Sequence, residues 1–143
     1  MKAKATWQKK MSFVGEGGTG FSLPLDTSVE HGGDNSGFRP IELLLVGLAG
    51  CTAMDVISIL EKKRQKVTRF EVRVNGERST EPPRVFTDIL VEYDVAGVDI
   101  DPAAVERAVE LSETKYCAVG AMLRKSTKIE HSIKITQEEN VTN

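Results

Sequence analysis

Residues 40–60 read PIELLLVGLAGCTAMDVISIL and are the most apolar part of the chain. Pro40 suits the first turn of a helix, and the carboxylate of Glu42 suits the positive end of the helix dipole. Beyond Glu42 the segment is apolar around almost its whole circumference, and a helix without a polar face is buried on all sides. The sequence therefore predicts a long central helix from Pro40 to about Arg64. We expect a sheet to cover it, with a second subunit as a further candidate cover.

Strands are predicted on both sides of this helix, because apolar and polar residues alternate there with the two-residue period of a sheet. The predicted strands are residues 2–8, 11–13, 21–25, 69–74, 85–95 and 129–135. A turn is predicted over the glycine-rich residues 15–20, and Asp101 with Pro102 predicts the start of a second helix. A short third helix is predicted to carry Cys117. This order predicts an α+β fold with mostly antiparallel sheets, in a single domain of residues 1–143.

Composition and charge exclude several classes of protein. The 143 residues are 40% hydrophobic and 28% charged, which is typical of one globular domain and not of a disordered chain. The 19 basic and 21 acidic side chains give a net charge of −2, which argues against a nucleic acid or an anionic membrane as partner. The apolar stretch 41–54 is shorter than the roughly 20 residues that span a bilayer. No secretory signal is apparent, so a cytoplasmic location is expected.

The two cysteines, Cys51 and Cys117, are the first candidates for chemistry. In a reducing compartment they are expected to be thiols, metal ligands or redox-active groups and not a structural bridge. Cys51 is either a small core residue or a reactive thiol, and Asp55, one helical turn later, shares its stripe. Asp55 either has a structural partner or belongs to a polar pocket around Cys51. The helix N-terminus is too distant to activate Cys51, so a thiolate there needs another cation or donor. The candidate cations are Arg39, Arg84 and Arg124.

Other potential sites are weaker. His31 and His131 complete a set of two cysteines and two histidines, but the spacings match no zinc pattern, so neither a metal nor a cofactor is predicted. His131 is expected to be a core histidine with satisfied hydrogen bonds. The glycine-rich residues 15–20 lack the following helix and the lysine of a phosphate-binding loop.

Two segments resemble a known family. Residues 39–55, RPIELLLVGLAGCTAMD, resemble the first-cysteine segment of the OsmC/Ohr family of osmotically inducible and organic hydroperoxide resistance proteins. Residues 116–119, YCAV, with Leu123 downstream, resemble its second-cysteine segment. Residues 55–60, DVISIL, are similar to the YhfA-like branch. The resemblance covers nearly the whole chain, and the order of the predicted elements also fits.

The resemblance implies a fold and an activity. It implies an OsmC-like fold with mostly antiparallel sheets around a long buried central helix, in an intertwined homodimer. It implies a thiol peroxidase in which the thiolate of Cys51 attacks a small organic hydroperoxide and becomes a sulfenic acid, which Cys117 converts to a disulfide. A dithiol, such as a lipoylated protein, would then reduce that disulfide.

The family's activating residues are replaced in this chain. The peroxidases use an arginine and a glutamate, and the glutamate directly follows the proline at the helix start. Here that position is Ile41, Glu42 comes one residue later, and residues 1–38 contain no arginine. We hypothesise that Asp55 and Arg39 take over the role of the pair, with Glu42 as a further candidate for an activating or pocket residue. The alternative is a non-catalytic OsmC-fold protein that binds or senses a small apolar or electrophilic ligand in a pocket at the dimer interface.

Overall fold

The computed structural model describes residues 1–140, which form six strands and three α-helices. The chain divides into two compact units, Met1–Leu44 and Leu45–Asn143. The strands are β1 (Ala3–Lys9), β2 (Ser12–Gly17), β3 (Ser22–Leu25), β4 (Lys66–Arg78), β5 (Phe86–Val98) and β6 (Lys128–Gln137). The helices are α1 (Glu42–Lys62), α2 (Pro102–Leu111) and α3 (Ala118–Leu123). The predicted α+β class and the predicted long helix are confirmed.

The N-terminal unit contains an antiparallel sheet in the order β1-β2-β3. The sequence predicts a turn over residues 15–20, whereas β2 extends to Gly17 and the turn narrows to residues 18–20. Gly15 stays in the strand because its backbone pairs with Ala5 on one side and Leu23 on the other. Gly20, with a φ of 88°, provides the left-handed conformation that the narrower turn needs.

The long loop that follows β3 is organised around one carboxylate. Asp26 is buried and accepts hydrogen bonds from the backbone N–H groups of Thr27, Asp34 and Ser36, at 2.8, 3.0 and 3.1 Å. The hydroxyl of Ser36 also donates to Asp26, at 2.6 Å. These donors hold the pKa of the Asp26 carboxyl well below its usual range, and the Ser36 hydroxyl has the largest effect. The loop therefore has a fixed shape although it contains little regular structure.

The central helix α1 is buried along one stripe only. Its buried residues are Leu48, Thr52, Val56 and Leu60, which recur every fourth residue. The prediction of burial on all sides is wrong for the single chain, in which Val46 is 53% and Met54 is 74% exposed. The reason is that residues 1–140 cover the helix along this one stripe.

The length of α1 also corrects the prediction that its apolar stretch is too short to span a membrane. The helix has 21 residues and contains an 18-residue window of mean hydropathy 2.1, so it meets the length and hydropathy of a membrane span. The 14-residue apolar stretch understates it, because Val56, Ile57 and Ile59 extend the apolar run. A core helix meets the same criteria, and α1 does pack on a sheet, where Thr52 hydrogen-bonds to Tyr93 of β5.

The C-terminal unit contains a sheet in the order β4-β5-β6. The β4–β5 pair is antiparallel and the β5–β6 pair is parallel, because the chain returns to β6 through α2 and α3. The predicted inner face of β5 is confirmed at Ile89, Val91, Tyr93 and Val95, which are at most 2% exposed. The predicted face fails at the start of the strand. There Thr87 is an extra, unpaired residue of β5 between the pairs Phe86–Arg78 and Asp88–Glu77, and Phe86 is buried in place of its neighbours.

Between α2 and α3 lies an element that the sequence does not predict. Asp101 caps α2 as predicted, and its side chain accepts the Ala103 N–H at 3.0 Å. After α2 the chain makes a single π-helical turn over Ser112–Tyr116, in which the N–H of Cys117 donates to the Ser112 carbonyl at 2.9 Å. This turn brings Cys117 to the start of α3.

Candidate active site

The fold brings the two cysteines together. The sulfur atoms of Cys51 and Cys117 and a carboxylate oxygen of Asp55 all lie within 4.8 Å of one another. Cys51 and Asp55 are one turn apart on α1, and the π-helical turn presents Cys117 to them. Both cysteines are free thiols; Cys51 is half-buried and Cys117 is 4% exposed. We refer to these three residues as the thiol cluster.

The two thiols have different surroundings. The pKa of the Cys117 thiol is raised to about 11, mainly by burial and to a smaller extent by the nearby Cys51 and Asp55. The backbone N–H of Gly120 opposes these effects, because it donates to the Cys117 sulfur at 3.3 Å. Cys117 is therefore a protonated thiol at neutral pH, whereas Cys51 is the more accessible of the two. The cluster offers three donor groups, one fewer than a closed structural zinc site uses.

Asp55 has a buried hydroxyl group as its partner. The Ser112 hydroxyl donates to Asp55 Oδ2 at 2.9 Å, and the Ser112 oxygen lies 2.9 Å from the Thr52 hydroxyl. The Thr52 oxygen in turn lies 2.8 Å from the Tyr93 hydroxyl. Ser112, Thr52 and Tyr93 are at most 3% exposed. Asp55 thus combines both alternatives left open by the sequence, because it has a fixed partner and also lies beside Cys51.

His131 continues this series of contacts. Its Nδ1 lies 3.2 Å from the Tyr93 hydroxyl, and its Nε2 lies 3.5 Å from Glu113 Oε1. Nε2 is buried and has no hydrogen bond within residues 1–140. The prediction of a satisfied histidine therefore holds for Nδ1 and is wrong for Nε2. Burial lowers the pKa of His131; Glu113 opposes this effect and Arg124 reinforces it.

The predicted polar residues near the start of α1 contact each other. In the N-terminal unit, Glu42 Oε1 accepts the backbone N–H of Arg39 at 2.7 Å, which is the predicted favourable placement of Glu42 at the helix start. The Arg39 guanidinium donates to the Gly37 carbonyl at 3.1 Å and to the Asn35 side chain.

Arg124, another of the candidate cations, lies in the C-terminal unit. Its guanidinium donates to the Glu113 carbonyl at 2.5 Å.

The cavity beside the thiol cluster is too small for a substrate. Its volume is about 10 Å³, and Cys117, His131, Glu113 and Arg124 contribute to its walls. This volume corresponds to about one water molecule. An organic molecule must therefore approach the exposed side of Cys51.

Sequence reasoning missed the hydroxyl groups of the site. Thr52, Tyr93 and Ser112 are common residue types with no recognisable spacing. A signal exists for Thr52 and Tyr93, because each places a hydroxyl on an otherwise apolar buried face and buried polar groups need partners. The identity of those partners depends on the tertiary fold.

Comparison with known sequences identifies close relatives. The family model described as OsmC-like protein matches residues 33–132. The protein YhfA of Escherichia coli (strain K12) is 42% identical over 138 residues, which cover 94% of this chain and 98% of YhfA.

Solved structures show the same fold. The OsmC-like protein from Mycoplasma pneumoniae superposes with a TM-score of 0.79 at 19% identity, covering 94% of this chain and 96% of that one. An organic hydroperoxide resistance protein OsmC from Legionella pneumophila superposes with a TM-score of 0.70 at 16% identity, covering 93% and 95%. At these identities the similarity establishes the architecture alone.

Proposed function

Because the chain belongs to the OsmC-like protein family, we propose that it is a thiol-dependent peroxidase that reduces small organic hydroperoxides. One observation carries the proposal: two free thiols, 66 positions apart in the sequence (117 − 51), lie within 4.8 Å of each other and of a carboxylate. The name of the Legionella structural relative, an organic hydroperoxide resistance protein, agrees with this substrate class.

The reaction has two steps on the protein. The Cys51 thiolate attacks the distal oxygen of the hydroperoxide, so that a sulfur–oxygen bond forms and the oxygen–oxygen bond breaks. The leaving alkoxide takes up a proton and departs as the alcohol. The Cys117 sulfur then attacks the Cys51 sulfenic acid, and water leaves as the disulfide forms. Cys51 acts first because its side chain is partly exposed. Cys117 is only 4% exposed, and its thiol pKa of about 11 keeps it protonated.

The catalytic cycle closes by thiol–disulfide exchange. A dithiol, such as a lipoylated protein in the cytoplasm, attacks the more accessible Cys51 sulfur and leaves as its own disulfide. The sequence of steps uses sulfur chemistry alone and assigns no role to a metal or cofactor.

We assign the activation of Cys51 to Asp55 and Arg39, in place of the family's glutamate and arginine. Asp55 belongs to the thiol cluster, whereas Arg39 has its guanidinium donors in its own loop. An Arg39→Ala protein that keeps the wild-type alkylation rate and pH profile of Cys51 excludes the role of Arg39.

The exposed apolar face of α1 supports the homodimer as the active form. We expect sedimentation to give a mass of about twice 15.7 kDa. Met54→Asp, at 74% exposure on α1, is expected to shift the protein to the monomer. The matched control is Met122→Asp on α3, where the side chain is 64% exposed and the dimer should persist. Equal behaviour of the two variants contradicts an α1 interface.

Single-turnover oxidation tests the proposed function. Fully reduced protein is mixed with one equivalent of cumene hydroperoxide, the remaining thiols are counted, and any bridge is mapped by mass spectrometry. The expected result is the loss of both thiols of each chain and a Cys51–Cys117 linked peptide. Thiols that stay reduced in excess hydroperoxide overturn the proposal.

A second candidate function is binding of an apolar ligand without turnover. The N-terminal unit has an open groove of about 520 Å³ with Phe21, Leu23, Leu25 and Leu43 in its lining. Replacing Cys51 by serine separates the two functions, because it should abolish turnover by a peroxidase and leave the affinity of a binding protein nearly intact.

A further inference from the structure

Five side chains form one continuous series of contacts that starts at the thiol cluster. Asp55 is followed by Ser112, Thr52, Tyr93 and His131, at successive distances of 2.9, 2.9, 2.8 and 3.2 Å. We call this series the hydroxyl chain. Its first member, Asp55, belongs to the thiol cluster. Its last member, His131, lies on β6, the strand that pairs with β5.

The hydroxyl chain has one hydrogen too few. The carboxylates of Asp55 and Glu113 only accept, so the four contacts of the chain and the contact from His131 to Glu113 need five hydrogens. Three hydroxyls and a neutral imidazole supply four. The unsatisfied contact is the one between His131 and Glu113, because the buried Nε2 of His131 has no hydrogen bond within residues 1–140 and lies 3.5 Å from Glu113 Oε1.

One added proton completes the series in two ways. When Asp55 holds the proton, every hydroxyl donates toward His131, whose Nε2–H then points at Glu113. When His131 is an imidazolium, every hydroxyl donates toward Asp55. The two forms differ by the shift of one hydrogen across each contact, and no heavy atom has to move.

We propose that the hydroxyl chain takes up the proton of the Cys51 thiol and carries it to His131, so that His131 is the proton store for the thiol chemistry. This role deepens the proposed function and rests on it. The Cys51 sulfur–hydrogen bond breaks, Asp55 accepts the proton, and a thiolate and one additional proton on the chain result. After the thiolate has attacked the hydroperoxide, the same proton returns through Asp55 to the leaving alkoxide, so the step balances without another reactant.

Charged groups face both ends of the hydroxyl chain. Burial is the largest influence on His131 and lowers its pKa, Arg124 at the end of α3 lowers it further, and Glu113 on the π-helical turn opposes both effects because it stabilises an imidazolium. His131 therefore holds the proton transiently and releases it readily. Asp55 is faced by Cys51 on its own helix and by Cys117, and the Ser112 hydroxyl is its donor. His131 thus acts through the chain, as a positioning residue that does not touch the substrate.

The test removes one hydroxyl from the middle of the chain. Tyr93→Phe is compared with Tyr116→Phe, because Tyr116 is the other tyrosine and is 51% exposed. Alkylation of Cys51 by iodoacetamide is followed by peptide mass spectrometry from about pH 5 to about pH 10, a range that brackets the ordinary thiol pKa.

For Tyr93→Phe the midpoint of the alkylation profile is expected to rise by about one pH unit, which slows the reaction about tenfold below it. The rates should converge at high pH, where the thiol ionises without help. A merely structural role lowers the rate by the same factor at every pH. A Tyr93→Phe profile that coincides with Tyr116→Phe, or that is uniformly slowed, overturns the proposal.

A second pair of variants tests the proposal independently if Tyr93→Phe does not fold. His131→Gln is compared with His31→Gln, which changes the other histidine of the chain. His131→Gln is expected to shift the profile in the same direction, and an unshifted profile overturns the proposal. Alkylation consumes no hydroperoxide, so a shifted profile in a protein that fails the single-turnover test rejects the peroxidase function alone.

Discussion

Replacing Cys51 by serine is expected to abolish steady-state reduction of cumene hydroperoxide. A serine hydroxyl fills nearly the same space but does not ionise at neutral pH, so the nucleophile is lost. The expected loss is at least about a thousandfold, as for removal of other activated nucleophiles. The measurement is hydroperoxide consumption in the presence of excess dihydrolipoamide.

The Cys117→Ser variant is the informative companion. Its Cys51 still attacks the hydroperoxide, but the sulfenic acid has no neighbouring thiol to condense with. Excess hydroperoxide should then convert Cys51 to the sulfinic acid, visible as a gain of two oxygen atoms on its peptide. Steady turnover by Cys51→Ser, or an unmodified Cys51 in Cys117→Ser, contradicts the assigned roles.

The largest expected loss of stability comes from Leu60→Ala at the end of the buried stripe of α1. Leu60 has no exposed surface, and removing its buried methyl groups leaves a cavity as well as losing transfer free energy. The expected decrease in the free energy of unfolding is about 2–5 kcal/mol. For a chain of this length, that lowers the thermal midpoint by roughly 10 °C.

Urea denaturation at fixed protein concentration measures this decrease directly. The matched control is Met122→Ala, because Met122 is also a long apolar residue on a helix and is 64% exposed. Its expected effect is within about 0.5 kcal/mol of the wild-type value. A Leu60→Ala protein as stable as the control contradicts the packing of α1 on the sheet.

Most of the architecture is predictable because it depends on local patterns. The apolar run after Pro40 predicts α1, and the alternation from Ile89 to Val95 predicts the inner face of β5. The cover of α1 is not predictable in the same way. Hydropathy shows that a surface is apolar, but it does not distinguish burial within one chain from burial against another molecule.

The site is predictable only in its ionisable residues. Cys51 and Asp55 share a helix, so their proximity follows from helical geometry. Cys117 is 66 positions from Cys51 (117 − 51), and the contact arises from the path of β4, β5 and α2 between them. The hydroxyl partner of Asp55 is equally non-local, since Ser112 donates to it across 57 positions. Thr52 likewise contacts Tyr93 and Ser112 across 41 and 60 positions.

The π-helical turn between α2 and α3 makes the length of that segment more important than its composition. An α-helical turn in its place would contain one residue fewer, and the following residue would be rotated by about 100° and displaced by about 1.5 Å along the axis. A relative with a cysteine aligned to Cys117 but a one-residue gap between Leu111 and that cysteine therefore directs its second thiol away from the first. Alignments of such relatives should be examined for gaps in this segment before a pair of cysteines is assigned a joint role.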